Sequence, residues 1–167
     1  MSRSLVLLFI VIVLTGCSAT GPRYSEHKST IPALSSESSR IFFFRSSRFM
    51  SCGSDAEIYI NDKKVGECAD DAYFFTDTIP GLVKIKAETF GTLGSHEIEK
   101  ELEGGNEYYF EILVNTAYVY SSVFVGVIGQ AAYAGSKENA NGWIFKEVKR
   151  EEAIPQLTDK IFSLDGE

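Results

Sequence analysis

Three cysteines and two histidines carry most of the side-chain chemistry open to this 167-residue chain, and their spacing decides what that chemistry is. Cys17 stands alone near the amino terminus, Cys52 and Cys68 are separated by 15 residues, and His27 and His96 share no ligand spacing with them. This is not the four-ligand pattern of a zinc site, so neither a metal nor a cofactor is expected. Ser95 adjoins His96, but neighbours on a strand point to opposite faces, which separates a nucleophile from its base. The chain has no Gly-x-Ser-x-Gly elbow, no phosphate-cradling glycine loop and no His-Glu-x-x-His. Asp70-Asp71 and the alternating Glu97, Glu99, Glu101 and Glu103 offer oxygen ligands. Such an alternation reads as a solvated strand face and lacks the spacing of a calcium loop. These residues predict a protein that is not an enzyme.

What precedes Cys17 gives that residue a different role. Met1 to Ser4 carry one cation, Arg3, and Leu5 to Leu14 run without charge. A short basic start followed by about ten apolar residues is a secretory leader, too short to cross about 30 Å of hydrocarbon as a helix. It ends on Leu14-Thr15-Gly16-Cys17, which resembles the lipobox of bacterial lipoproteins at all four positions. The resemblance implies cleavage before Cys17 and acylation of its sulfur and then of its new amino group. Loss of Arg3 with the leader takes the formal charge from −7 to −8. Ser18, where an Asp would favour retention at the inner membrane, implies sorting to the outer membrane of a diderm bacterium, with the domain in the periplasm.

Composition supports a folded, exported domain. Hydrophobic residues at 44% and charged residues at 23% exclude wholesale disorder. Sixteen Lys and Arg against 23 Asp and Glu, with no basic cluster, argue against nucleic acid as a partner. Residues 1–16 are the leader, and 17–40, rich in Ser, Thr, Pro and Gly, read as the lipidated end and a flexible tether. As a coil that tether would hold the domain roughly 25–30 Å from the membrane, with His27 exposed and inert. In an oxidising compartment, a Cys52–Cys68 disulfide across the 57–67 hairpin is expected, in preference to two free thiols.

From residue 41 to 162 the pattern is β, with 163–167 a tail. Ile41-Phe42-Phe43-Phe44 reads as a strand buried on both faces. Glu57 to Glu67 reads as a hairpin, Ala72 to Thr76 as a strand, and Val83 to Glu88 alternates with Val83, Ile85 and Ala87 inward. Ser95 to Leu102, Glu107 to Val114 and Trp143 to Val148 complete the set, and Ile154, Leu157 and Ile161 suggest a short C-terminal helix with Pro155 in its first turn. The fold expected is mainly β: an antiparallel β-sandwich with one short helix.

Two segments, Glu57-Ile-Tyr-Ile-Asn-Asp-Lys-Lys-Val-Gly66 and Thr78-Ile-Pro-Gly-Leu-Val-Lys-Ile-Lys-Ala87, resemble PEGA-type β-sandwich modules, with Asp62 where those carry Gly. With the lipobox and the Arg40-Ile-Phe-Phe-Phe-Arg45 opening, the chain is similar to small bacterial lipoproteins whose domain has no assigned function. The resemblance implies an Ig/PEGA-like fold and brings no catalytic residue with it.

Between Glu111 and Lys137 there is no charge for 25 residues. This 115–136 insertion reads as buried strands or a packed apolar loop, as an exposed surface that meets membrane or partner, or as a membrane span. Tyr118, Tyr120, Phe124 and Tyr133 are its candidate contact residues. Two functions are therefore expected. One is a lipid-anchored, non-catalytic module that binds an envelope protein or glycan. The other is a structural component that self-associates or embeds through 115–136.

Overall fold

In Ile41-Phe42-Phe43-Phe44 successive side chains point to opposite faces of a strand, yet all four are buried. The sheet that contains them must therefore be covered on both sides. The protein was analysed as a computed structural model, which describes residues 19–47, 54–89, 93–136 and 141–163. Strand β1 (Ser39–Phe44) lies at the centre of a five-stranded sheet with β4 (Ala72–Thr78), β7 (Glu107–Val114), β8 (Trp143–Glu147) and β9 (Ile161–Phe162), in the order β8-β7-β1-β4-β9. A second sheet, β3-β2-β5-β6, is built from β2 (Ala56–Ile60), β3 (Lys63–Cys68), β5 (Gly81–Glu88) and β6 (His96–Leu102). Ile41 and Phe43 face this second sheet, among Ile58, Ile85, Phe110 and Phe145.

Phe42 and Phe44 face the other way, into a second core with Tyr24, Tyr73, Tyr109 and Leu157. Phe42 stacks on Tyr109 with 5.0 Å between ring centroids, and Tyr24 meets Tyr73 edge-on at 5.4 Å. The cover consists of α1 (Tyr24–His27) and α3 (Arg150–Leu157), which makes three layers. The expected antiparallel sandwich is thus corrected to a mixed one: β1 runs parallel to β7, and β4 parallel to β9. Pro155 sits in the second turn of α3, and Ile161 belongs to β9 rather than to the helix.

The flexible tether is also corrected over its described part, residues 19–40. Phe162 donates its N–H to Pro22 O and accepts from Gly21 N–H, so the segment extends the sheet beyond β9. His27, expected to be exposed, lies 2.7 Å from the Tyr73 hydroxyl and edge-on to Phe162 at 4.7 Å. Further along, a Cβ on Gly104 would fall 2.2 Å from Ser36 O, so the β6–β7 turn packs directly under the passing chain. Arg40 fastens this cover. It donates Nε and Nη2 to the two carboxylate oxygens of Asp77 at 2.6 and 2.8 Å, and Nη1 to Pro32 O at 2.8 Å, over the face of Phe75.

The β2–β3 turn forms as the hairpin reading requires. Asn61 and Asp62 both take positive φ, 49° and 65°, the type I′ geometry that suits right-twisted strands. Asp62 thus adopts the conformation for which Gly is favoured, and its carboxylate accepts from Lys84 Nζ.

Arg40→Ala leaves the Asp77 carboxylate and the Pro32 carbonyl without their donor. A loss of about 2–3 kcal/mol in urea unfolding is expected, below the cost for a fully buried pair because Asp77 is 42% exposed. Hydrogen exchange should also rise across 21–38 before it rises in β1.

Candidate functional site

The uncharged 115–136 segment is helical rather than extended. Helix α2 (Thr116–Ser136) breaks at Gly126, whose φ of 62° and ψ of −147° lie in a region essentially confined to glycine. Residues 118 and 133 of a straight helix would lie about 22 Å apart, yet the Tyr118 and Tyr133 rings meet edge-to-face at 5.8 Å. The two arms therefore fold back on each other as a hairpin with its bend at Gly126. Both β-strand and loop readings of this segment are corrected, and no helix among the described residues is long and apolar enough to cross a membrane.

The base of the hairpin is tied to one end of the sandwich. Asn115 donates its N–H to Gly142 O at 2.7 Å, and the Tyr118 hydroxyl donates to Leu93 O at 2.9 Å. Asn141 donates Nδ2 to Gly94 O at 2.6 Å and accepts from the N–H of Trp143, which opens β8. The Trp143 indole donates to Thr89 Oγ1, and the Arg45 guanidinium lies 4.3 Å from the centre of its ring system. Arg45, 1% exposed, also donates to Ser54 O and Cys68 O and lies 3.4 Å from Asp70. Tyr118 is buried at this base and Tyr133 half-buried against it, whereas Tyr120 is 53% exposed; the Phe124 side chain lies outside the described residues. At the bend, Val127 and Ile128 are 72% and 76% exposed.

The amino-terminal segment enters at the same end. Arg45 N–H at the end of β1 bonds Ala72 O at the start of β4, Ala72 is level with Ile161, and Ala19 packs against Ala69, Ala72 and Ile161. Since β1 and β7 are parallel, the end of β7 that feeds the hairpin lies at that end too. Between two and four strand spacings separate Ala19 from the hairpin base, about 10–20 Å. Cys17 itself, like Cys52, lies outside the described residues.

The remaining sequence candidates do not assemble a reactive centre. The expected disulfide is replaced by a free Cys68 thiol. It is wholly enclosed between β3 and β4, directed at Ala72 O 3.6 Å away, and burial pushes its pKa up to about 12. Asp70 and Asp71 do not share a cation site: Asp70 faces Arg45 and Ser47, and Asp71 pairs with Lys160 at 2.8 Å. No group of His, Cys, Asp and Glu among the described residues is arranged to hold a metal. Ser95 Oγ donates to Glu97, while the His96 ring packs against Phe145.

Sequence reasoning missed one polar cluster. The Tyr109 hydroxyl donates to Glu107 Oε2 at 2.6 Å, and Arg150 from α3 pairs with the same carboxylate beside a shallow depression of about 400 Å³ lined by Leu34, Asn106 and Tyr108. The only signal was the Glu107-x-Tyr109 spacing, which places both on the strand face opposite Tyr108; nothing local foretold Arg150. Burial, then the hydrogen bond to Glu107 and the charge of that carboxylate, hold Tyr109 above the usual tyrosine pKa, and burial does the same to Tyr73.

Two outcomes follow. Nothing lies within 4 Å of a Cβ built on Gly126, so Gly126→Ala meets only backbone strain, about 1–3 kcal/mol. Exchange in 116–136 should rise while the global unfolding midpoint stays put. Because folding raises the tyrosine pKa values, stability is complete below pH 10 and falls as pH rises above it. Tyr109→Phe should shallow that fall in urea midpoints measured from pH 9 upward.

No curated protein matches the chain. A family model described as "Protein of unknown function (DUF2846)" matches residues 35–127, more than half of the sequence, from the approach to β1 through all of β7 to the bend of the hairpin. The chain is therefore a member of the DUF2846 family of proteins of unknown function.

Proposed function

We propose that this protein is a lipid-anchored, non-catalytic interaction module of a bacterial envelope, fixed through acyl groups on Cys17 with its domain in the periplasm. The observation that carries the reading is the placement of Leu14-Thr15-Gly16-Cys17 after the apolar run of a leader that opens on Arg3 and before Ala19, the point from which the chain packs on the sheet. Three acyl chains would make the attachment effectively permanent, where one alone binds only marginally. Ser18 favours the outer membrane in a diderm host. The two packed sheets, with the Glu57–Gly66 hairpin and the Pro80-Gly81 entry to β5, support a PEGA-like ancestry for the domain.

A non-catalytic role fits the way the polar side chains are used. Arg40 faces Asp77, Arg45 faces Asp70, Lys160 faces Asp71 and Arg150 faces Glu107, each pair holding one element against another. Because residues 19–38 brace the sheet, the anchor would sit close beneath the domain, without the 25–30 Å of slack that a free coil would give. A second reading, embedding or self-association through 115–136, draws on the exposure of Val127 and Ile128.

Anchoring is tested by metabolic labelling with an alkyne fatty acid and intact mass of the mature chain. The mature protein should begin at acylated Cys17, fractionate with outer membrane and resist extraction by high salt. Cys17→Ala should abolish the label. A mature chain cut near Ala19 and carrying no acyl group would overturn the proposal.

A further inference from the structure

We infer that the bend of the α2 hairpin is a second membrane contact, seated in the leaflet that holds the Cys17 acyl chains. This deepens the proposal above and rests on its anchor. Three independent observations converge on the bilayer as occupant. The first is position: Ala19 and the hairpin base share one end of the sandwich, and only two residues of chain, a reach of about 7 Å at most, join Ala19 to Cys17. An acylated Cys17 brings that end to the headgroups.

The second is charge. The hairpin belongs to a 25-residue stretch without a charged side chain, in a protein where 23% of residues are charged. With a mature charge of −8 the domain has no net attraction to anionic lipid, so contact must be apolar. The third is exposure at the bend. Val127 and Ile128 are among the most exposed large apolar side chains described, and Tyr120, on the first arm, suits the headgroup level favoured by tyrosine. Each arm of about ten residues reaches about 15 Å, half a hydrocarbon core, so the hairpin dips into one leaflet and does not span.

The test places an environment-sensitive fluorescent amino acid at position 128 or, in a separate protein, at position 79. Ile79 is 81% exposed between β4 and β5, at the opposite end of the sandwich. Full-length protein is purified from membranes, its Cys17 acylation read by intact mass, and reconstituted in phosphatidylethanolamine and phosphatidylglycerol vesicles with brominated acyl chains. The expected result is a blue shift and bromine quenching at 128 and none at 79, unchanged by salt. With the probe moved to 127, Ile128→Asp should abolish the quenching and leave the acylation and the unfolding midpoint of the domain intact. An acylated protein whose position 128 remains as solvent-exposed as 79 overturns the inference and leaves the anchor standing. A blue shift at 128 without bromine quenching, with chemical crosslinks between copies, overturns it in favour of self-association. Quenching at 128 in a protein without acyl groups retains the contact and removes the anchor; no quenching and no acyl groups overturn both.

Discussion

The architecture depends on the burial of both faces of β1. Four consecutive large apolar residues, Ile41 to Phe44, give a strand that water can approach from neither side, and each such side chain contributes about 1.5–3 kcal/mol only if its own face is covered. One face is met by the second sheet. The other needs a layer that β-hairpins on the same sheet cannot supply, and the chain takes it from its two extremities: Tyr24 and its surroundings from the amino-terminal side, Ala153 and Leu157 from the carboxy-terminal side. The segment before β1 is therefore structural, and the parallel pairing of β4 with β9 follows from a chain that returns after α3 to close the sheet edge beside it.

Two arginines bracket this strand and divide its tasks. Arg40, at the start, joins the strand to the amino-terminal cover through Pro32 and to β4 through Asp77. Arg45, just past the end, collects the carbonyls of Ser54 and Cys68, the Asp70 carboxylate and the Trp143 ring, so it couples both sheets to the strand that follows the hairpin. Buried guanidinium groups are costly without partners, and several fixed donors make Arg the side chain able to satisfy many loops at once. The Arg-Ile-Phe-Phe-Phe-Arg string is thus a strand together with the fasteners for both of its ends.

Most strands were legible because their faces differ: Val83, Ile85 and Ala87 alternate with Lys84, Lys86 and Glu88, and the structure keeps that register. Three features were not. The double burial of β1 was visible in its sequence, but its implication, that residues 19–38 cannot be a free tether, depends on partners more than a hundred residues away. Parallel pairing leaves no local trace, since a strand's own pattern says nothing of its neighbour's direction. The hairpin of α2 escaped because its residues, rich in Val, Tyr and Ser with small residues interspersed, carry neither a period of two nor a clear apolar stripe at 3.6. Gly126 marks the bend only once the Tyr118–Tyr133 contact is known. Of the candidate site, Tyr118 and Tyr133 turned out to be internal to the hairpin, whereas Val127 and Ile128 became prominent through exposure, a property of the fold and not of residue type.

The proposed attachment at two points would change what such a domain can do. A domain on a single flexible coil samples many orientations, and any surface can meet any partner at a low effective concentration. An acyl anchor beneath Ala19 and an apolar hairpin whose base lies about 10–20 Å from it would instead fix the sandwich with its strands rising from the leaflet, about 20–25 Å for strands of six to eight residues. The opposite end then stands at a set height: exposed Ile79 and Leu82, and the depression where Arg150, Glu107 and Leu34 meet. The family match runs from residue 35 to the bend of the hairpin, so it takes in β1 through β7 and the first arm of α2, while most of the 19–38 brace lies before it. On the proposed two-point attachment, the protein would act through the distance and direction at which it holds its far end.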